Sequence, residues 1–146
     1  MRDMDKGTTC LSQTHYAKEI VRTYNFCNAT PRLIPMQPNT CLNKGDYDNP
    51  APDFIRLYSG IVGSLGYLVT MTRPDLAWAY FELNTYVQFP GKHHMLAAEH
   101  ILSHLSGTCN QTIRYSRDSH ENPNDLWGWV DAEIPTPDDL TRGTFS

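Results

Sequence analysis

Four histidines near position 100 have the residue type and spacing to bind a metal ion. His100 and His104 are four residues apart, and His93 and His94 lie just upstream. Two histidines one helical turn apart can share a zinc ion. The pattern is not His-Glu-X-X-His, because Glu99 precedes His100 instead of following it, and no third ligand is indicated. Solvated or partly packed histidines are therefore the favoured interpretation.

Asp131 is the second candidate for chemistry. It follows the strand-like run Trp-Gly-Trp-Val at 127–130, and a strand edge could hold its carboxylate on a divalent cation shared with other acids. A two-metal nuclease needs several carboxylates from distant segments, whereas Glu133, Asp138 and Asp139 are all close to Asp131 in sequence. From composition alone, a solvated turn is the favoured interpretation.

The candidates for contacts with nucleic-acid phosphates are Lys18, Arg22, Arg73 and Lys92, with tyrosines interleaved among them. A helical module could follow a phosphate backbone with one such basic face. The net charge of the 146 residues is −4, so no overall basic field attracts the chain to nucleic acid or to an anionic membrane. The sequence therefore predicts weak nucleic-acid binding at most.

Composition indicates one globular domain without a membrane segment. Hydrophobic residues make up 40% and aromatic residues 11% of the chain, which is enough for a real core. The four cysteines form no CxxC pair, so free thiols in a reducing compartment are expected. No uninterrupted apolar stretch approaches ~20 residues and the N-terminus has no apolar signal region. We therefore expect an intracellular protein that does not associate with membranes.

Apolar periodicity predicts four helices that would position these residues. Ser12 is a good N-cap for the first helix, which reaches about Phe26. The second spans 53–69, the third follows Pro74 and ends before Pro90, and the fourth runs from about His94 to Ser106. Between the first two helices, five prolines at 27–52 predict an extended connector.

Short β segments flank the predicted helices. The opening, residues 1–11, is typical of the second half of a β-hairpin whose partner strand lies upstream. Two β-like runs follow the helices at 112–115 and 126–130. From Pro135 onward no apolar pattern remains, so residues 135–146 are predicted to be a disordered tail. The predicted fold class is α+β, mainly α.

Three glycines interrupt the second predicted helix at Gly60, Gly63 and Gly66. Each costs roughly 1 kcal/mol in helix propensity relative to alanine, which favours a face where another backbone packs closely. A phosphate-binding loop is disfavoured, because the spacing is GxxGxxG and no Gly-Lys-Ser/Thr follows.

Several segments together resemble the Pol polyprotein of copia-type long-terminal-repeat retrotransposons. The most specific pair is Val-Gly-Ser-Leu-Gly-Tyr-Leu at 62–68 followed by Thr-Arg-Pro-Asp at 72–75. Leu-Ser-Gln at 11–13, Ala97-Ala98 with Gly107-Thr108, and Trp-Gly-Trp-Val-Asp-Ala at 127–132 occur in the matching order. The similarity extends from position 7 to 133.

This resemblance implies a division of the chain. Residues 1–11 would end the palm hairpin of the reverse transcriptase. Residues 12–107 would form its helical thumb and connection region, which holds the RNA or DNA template and primer. Residues 108–134 would begin a truncated ribonuclease H domain, in which Asp131 would bind Mg²⁺ as the first catalytic aspartate. The cellular location of that family implies that this chain occurs in cytoplasmic virus-like particles or in the nucleus.

The departures from the family pattern favour a catalytically inactive fragment. The polymerase signature Tyr-X-Asp-Asp is absent from the 146 residues, and after Ala132 the family's Asp-Trp-Ala-Gly-Asp continuation is replaced by Glu-Ile-Pro-Thr-Pro. Ser103, His104 and Ser106 stand where the family carries basic residues. The first alternative is a protein-interaction module that binds intact Pol or another partner through the glycine face and the aromatic helices. The second is a residual Mg²⁺ nuclease centred on Asp131.

Overall fold

A computed structural model describes residues 2–3, 7–38, 40, 42–43 and 50–116, which belong to one structural unit, Met1–Ser116. The predicted strand at 126–130, Asp131 and the predicted tail at 135–146 lie outside these residues.

Four α-helices and three short strands make up the described part of the chain. The helices are α1 (Thr14–Thr23), α2 (Pro52–Met71), α3 (Ala77–Asn84) and α4 (Lys92–Thr108), and a 3₁₀ turn at Pro74–Leu76 precedes α3. The strands are β1 (Arg2–Asp3), β2 (Thr8–Leu11) and β3 (Ile113–Ser116). This composition confirms the mainly α, α+β fold class.

Two of the predicted helices differ in detail from the observed ones. α1 begins at Thr14 with Gln13 at the N-cap position, but the Ser12 hydroxyl still accepts a hydrogen bond from the Thr14 amide at 3.2 Å. The third helix is shorter than expected and becomes α-helical only at Ala77, because Pro74 first closes a 3₁₀ turn. After Asn84 the chain continues through turns that lead to Pro90.

The three strands form one antiparallel sheet in the order β1-β2-β3. Gly7 adopts a positive φ of 57° in the turn before β2, a conformation that glycine adopts without steric cost. On its other side β2 pairs with β3, with Cys10 opposite Arg114 and Leu11 opposite Ile113. The expectation that the partner of β2 lies upstream of the chain is therefore wrong, because both neighbours of β2 belong to this chain.

The core lies between α2 and the other helices. Ile61, Leu65 and Leu68 of α2 are buried, and the hydroxyl of buried Tyr58 donates to the Leu83 carbonyl oxygen at 2.8 Å. The opposing side chains come mainly from α4 and include Ala98, Ile101, Leu102 and Leu105.

Among the described helices, α2 alone has the length and composition of a membrane-spanning segment. This property is weak evidence for a bilayer, since the central helix of a helical core passes the same test. Here five of its apolar and aromatic side chains, Tyr58, Ile61, Val62, Leu65 and Leu68, are buried inside the protein. Packing of the core therefore accounts for these five side chains, whereas Leu57, Tyr67 and Met71 of α2 are about half exposed.

The glycines of α2 make room for tyrosine side chains. A Cβ atom at Gly66 would lie 2.9 Å from the hydroxyl of Tyr80, and one at Gly60 would lie 3.0 Å from the hydroxyl of Tyr24. Gly63 has no neighbouring atom within 4 Å of such a position. The expectation that another backbone packs closely on this face is therefore wrong. Tyrosine side chains pack at two of the glycines, and the third faces open space.

The described part of the connector runs along α4 from its C-terminal end toward its N-terminal end. Pro31 packs so closely on Gly107 that a Cβ there would lie 2.7 Å from the proline ring. The Arg32 carbonyl oxygen then contacts His104 Nδ1 at 2.8 Å, and the Ile34 carbonyl oxygen contacts His100 Nε2 at 3.1 Å. The described part of the proline-rich segment consists of bends and turns without helix or strand, and it is held by side chains of α4.

Candidate nucleic-acid interface

Lys18 and Arg22 line a cleft between α1 and the C-terminal end of α4. The cleft has a volume of about 260 Å³, and we call it the α1–α4 cleft. Both basic residues are exposed and lie one helical turn apart on α1. The other side chains that line the cleft are Val21, Cys27, Ser106, Cys109 and Asn110, with Gly107.

The electrostatics of this cleft suit an anion. Neither Lys18 nor Arg22 forms an ion pair with any residue that the structure describes, so both charges face solvent. Burial raises the pKa of the Cys109 thiol, which keeps it neutral near pH 7. The Ser106 hydroxyl donates to the Ser103 carbonyl oxygen at 2.8 Å, whereas the exposed Asn110 amide adds a hydrogen-bond donor to the cleft. The arrangement can bind a phosphate through two cations and this neutral amide.

Lys92 lies at the opposite end of α4 from this cleft. It is the first residue of the helix and is exposed. Thr108 ends α4 sixteen residues later, which corresponds to about 24 Å along the helix axis. Lys92 therefore cannot share a phosphate with Lys18 or Arg22, although it could contact a distant part of the same strand.

Arg73 is placed differently from the other three predicted phosphate-binding residues. Its side chain is only 3% exposed. Nε and Nη2 donate to the two carboxylate oxygens of Asp75 at 2.9 and 2.8 Å. Nη1 and Nη2 also donate to the carbonyl and hydroxyl oxygens of Thr108 at 3.0 and 2.9 Å. The guanidinium is thus occupied internally, where it binds the last residue of α4.

Arg73 also controls the ionisation of Asp75. Partial burial alone would raise the pKa of this carboxyl group, but the hydrogen bonds and positive charge of Arg73 outweigh that effect and lower the pKa below its usual value. His104 Nε2 lies 3.8 Å from the same carboxylate. The Thr-Arg-Pro-Asp motif therefore builds a partly buried polar cluster between the 3₁₀ turn and α4.

The histidines of α4 do not assemble a metal site. His100 and His104 contact backbone carbonyl oxygens of the connector. His94 Nδ1 accepts a hydrogen bond from the Gly91 amide at 2.7 Å, and the His94 ring stacks on Tyr86 with centroids 4.2 Å apart. Within the described ranges no group of three or more His, Cys, Asp or Glu side chains could hold a metal ion. These residues therefore do not fit a Mg²⁺ site, and Asp131 lies outside them.

Sequence reasoning identified Lys18 and Arg22 but missed the rest of the cleft. Ser106 and Asn110 are more than 80 residues away in sequence and reach α1 only because α1 packs on α4. One indication that Ser106 belongs to this surface was present in the sequence, because the retrotransposon family that the sequence resembles carries a basic residue at this position. The buried role of Arg73 could not be inferred from its sequence neighbours.

Comparisons with known proteins identify relatives along most of the chain. The Retrovirus-related Pol polyprotein from transposon RE1 of Arabidopsis thaliana is 36% identical over 103 residues, which cover 70% of this chain. The corresponding polyprotein from transposon TNT 1-94 of Nicotiana tabacum is 34% identical over 144 residues and 92% of this chain. That from transposon RE2 of Arabidopsis thaliana is 38% identical over 105 residues and 70% of this chain.

These relatives are much longer than the present chain. The matched regions span 7% of the RE1 and RE2 polyproteins and 10% of the TNT 1-94 polyprotein. No protein-family model matches the sequence. No solved structure matches it either.

Proposed function

Because this chain belongs to the copia-type retrotransposon Pol polyproteins, we propose that its helical unit holds template–primer nucleic acid without performing catalysis. In this role residues 12–107 act as a thumb- and connection-like support. The chain corresponds to a small part of a Pol polyprotein, so the chemistry of the parent enzyme is supplied by other segments.

The observation that carries this proposal is the α1–α4 cleft. Lys18 and Arg22 form no ion pair with any described residue and lie beside the neutral Asn110 amide. Phosphate contacts of this kind supply affinity that depends on salt and not on base sequence. A surface with two basic residues in a chain of net charge −4 binds weakly, as suits one contact among many in a longer protein.

The proposal of catalytic inactivity rests on the sequence. No Tyr-X-Asp-Asp motif occurs in the 146 residues, and in the resembling family this motif supplies the polymerase carboxylates. Of the ribonuclease H acids only Asp131 has a match. The parent chemistry uses Mg²⁺ to activate water and stabilise a leaving oxygen, which requires several converging carboxylates. A primer-extension assay with Mg²⁺ or Mn²⁺ should give no product.

Fluorescence anisotropy of a labelled RNA–DNA hybrid tests the binding surface. We expect weak binding by the purified chain and a large loss in the double variant K18A/R22A. If both residues contact phosphates, this variant should also lower the slope of log K against log salt by about 1.4–1.8, since each phosphate contact contributes about 0.7–0.9.

The matched control is R56A/R114A, which removes the same charge from two exposed residues outside the cleft. If both double variants weaken binding of the hybrid equally, the loss is explained by net charge alone. That result would contradict a specific role for the cleft. Primer extension by the wild-type chain would contradict the inactive assignment.

A second candidate function is binding to another part of Pol, and one observation favours it. Trp78 and Phe81 lie three residues apart on α3 and are 56% and 62% exposed, although aromatic side chains of this size are usually largely buried. Tyr24 and Tyr80 already occupy the space beside two of the three α2 glycines, so α3 is a better surface for a partner. Pull-down of intact Pol that is abolished by W78S/F81S, but not by Y115S at another exposed aromatic residue, would support this function.

A further inference from the structure

A second cavity lies between the connector and the N-terminal half of α4. It has a volume of about 370 Å³, within the range of small-ligand sites, and we call it the connector pocket. Its buried members are Met36, Leu42 and Ala97. The more exposed members are the polar residues Gln37, Thr40, His93 and His100, together with Leu96, which is 61% exposed.

Among the residues that the structure describes, the buried side of the connector pocket is apolar, its edge is mainly polar, and its lining contains no Asp, Glu, Lys or Arg. His93 and His100 are seven residues apart on one face of α4, which separates them by about 10 Å along the axis. His100 is held by its contact with the Ile34 carbonyl oxygen. The Thr40 hydroxyl donates to the Gln37 carbonyl oxygen at 2.8 Å, which fixes the turn that carries the Gln37 amide.

Such a lining selects a flat, uncharged ring with hydrogen-bonding edges. An apolar floor accepts the face of the ring, histidines can stack on it, and an amide can pair with its donors and acceptors. We propose that the connector pocket binds one unpaired nucleobase of a single-stranded segment. The inference rests on the proposed nucleic-acid binding, because the strand held by the α1–α4 cleft supplies the base.

The positions of the two cavities along α4 support this assignment. Gly107 of the α1–α4 cleft and His100 of the connector pocket are seven residues apart on one face of α4, about 10 Å along the axis. A strand of a few nucleotides can cover this distance. Exposed Arg32 lies beside α4 between the two cavities, and exposed Lys92 precedes the pocket residue His93. One basic residue therefore lies between the cavities and another lies beyond the connector pocket.

The test compares a single-stranded oligoadenylate with an abasic deoxyribose-phosphate strand of the same length, by anisotropy on the whole chain. We expect the abasic strand to bind at least about fivefold more weakly, which is the lower end of the effect of losing one stacked base. Gln37→Ala and His93→Ala should reduce this preference while leaving affinity for the abasic strand unchanged. Gln88→Ala, at an exposed glutamine outside the pocket, is the matched control.

A second measurement separates this inference from the proposed function. Free adenosine, which has no phosphate, should shift the NMR signals of Leu96 and Ala97, and Gln37→Ala should weaken that response. If neither strand binds but adenosine shifts these signals, the proposed function fails and the pocket assignment stands. If both strands bind equally and the Gln37 and His93 variants change nothing, the pocket assignment is overturned and phosphate binding remains.

Discussion

The guanidinium of Arg73 joins parts of the chain that are distant in sequence. It binds the Asp75 carboxylate within its own motif and the Thr108 carbonyl and hydroxyl oxygens 35 residues later. Thr108 ends α4, where backbone carbonyls lack helical partners and the helix dipole is negative. The buried guanidinium therefore caps the helix, and its charge is balanced mainly by the Asp75 carboxylate.

Removal of Arg73 should therefore destabilise the protein strongly. Arg73→Met keeps much of the side-chain volume but leaves Asp75 and the end of α4 without their donor. We expect a loss of about 2–4 kcal/mol in the free energy of unfolding, measured by urea denaturation. Arg22→Met, at an exposed arginine, should change it by less than about 0.5 kcal/mol. Similar values for the two variants would contradict the structural role of Arg73.

The lowered pKa of Asp75 predicts a loss of stability in acid. A carboxyl group with a lower pKa in the folded state than in the unfolded state contributes stability that is present above its unfolded value, about 3.9. That contribution is lost as the pH falls through the folded pKa, below 3.8. Urea unfolding at pH 5 and pH 3 should show a smaller acid-dependent decrease for Asp75→Asn than for the wild-type chain. An unchanged decrease would show that other carboxyl groups cause it.

At the scale of elements, alanine substitutions at two glycines of α2 should change the stability of the protein differently. Gly63 is exposed with open space around it, whereas a side chain at Gly66 would meet the ring of Tyr80. Gly63→Ala should stabilise the protein by about 0.5–1 kcal/mol through helix propensity. In Gly66→Ala the same gain should be cancelled or reversed by displacement of Tyr80. Thermal or urea unfolding of both variants measures the difference, and equal stabilisation would show that Tyr80 moves without cost.

The elements differ in how well the sequence predicts them, for a physical reason. The four helices were predicted because their apolar residues recur with the helical period, and α2, expected at 53–69, is observed at Pro52–Met71. Strands β2 and β3 were also expected, within 1–11 and at 112–115, but their pairing was not, because about 100 residues separate them and pairing at that distance leaves no local pattern. Likewise, periodicity located Lys18 and Arg22 on one helix face but could not place Ser106 opposite them.

At the scale of the whole molecule, the distribution of charge limits binding. Seven acidic and three basic residues lie in 101–146, whereas residues 1–100 have balanced charges. Positive potential is therefore confined to local features such as the α1–α4 cleft, where it must act against a net charge of −4. Affinity for nucleic acid should be low and should decrease steeply with added salt.

A gain of one charge in the α1–α4 cleft should be easily detected against this background. Ser106→Lys adds a third cation to the side of the cleft opposite Lys18 and Arg22. We expect tighter binding of the RNA–DNA hybrid and a salt slope steeper by about 0.7–0.9, measured by anisotropy. Ser59→Lys on α2 adds the same charge outside the cleft and is the control. An equal gain from both variants would show that the position of the charge is unimportant.

The small sheet joins segments from the two ends of the described part of the chain. Asp3 of β1 and Ser116 of β3 both pair with Thr8 from opposite sides, so they lie two strand spacings apart, about 10 Å. Because β1 and β3 both run antiparallel to β2, they run parallel to each other. Both outer strands therefore depend on β2 for their backbone pairing within the described sheet.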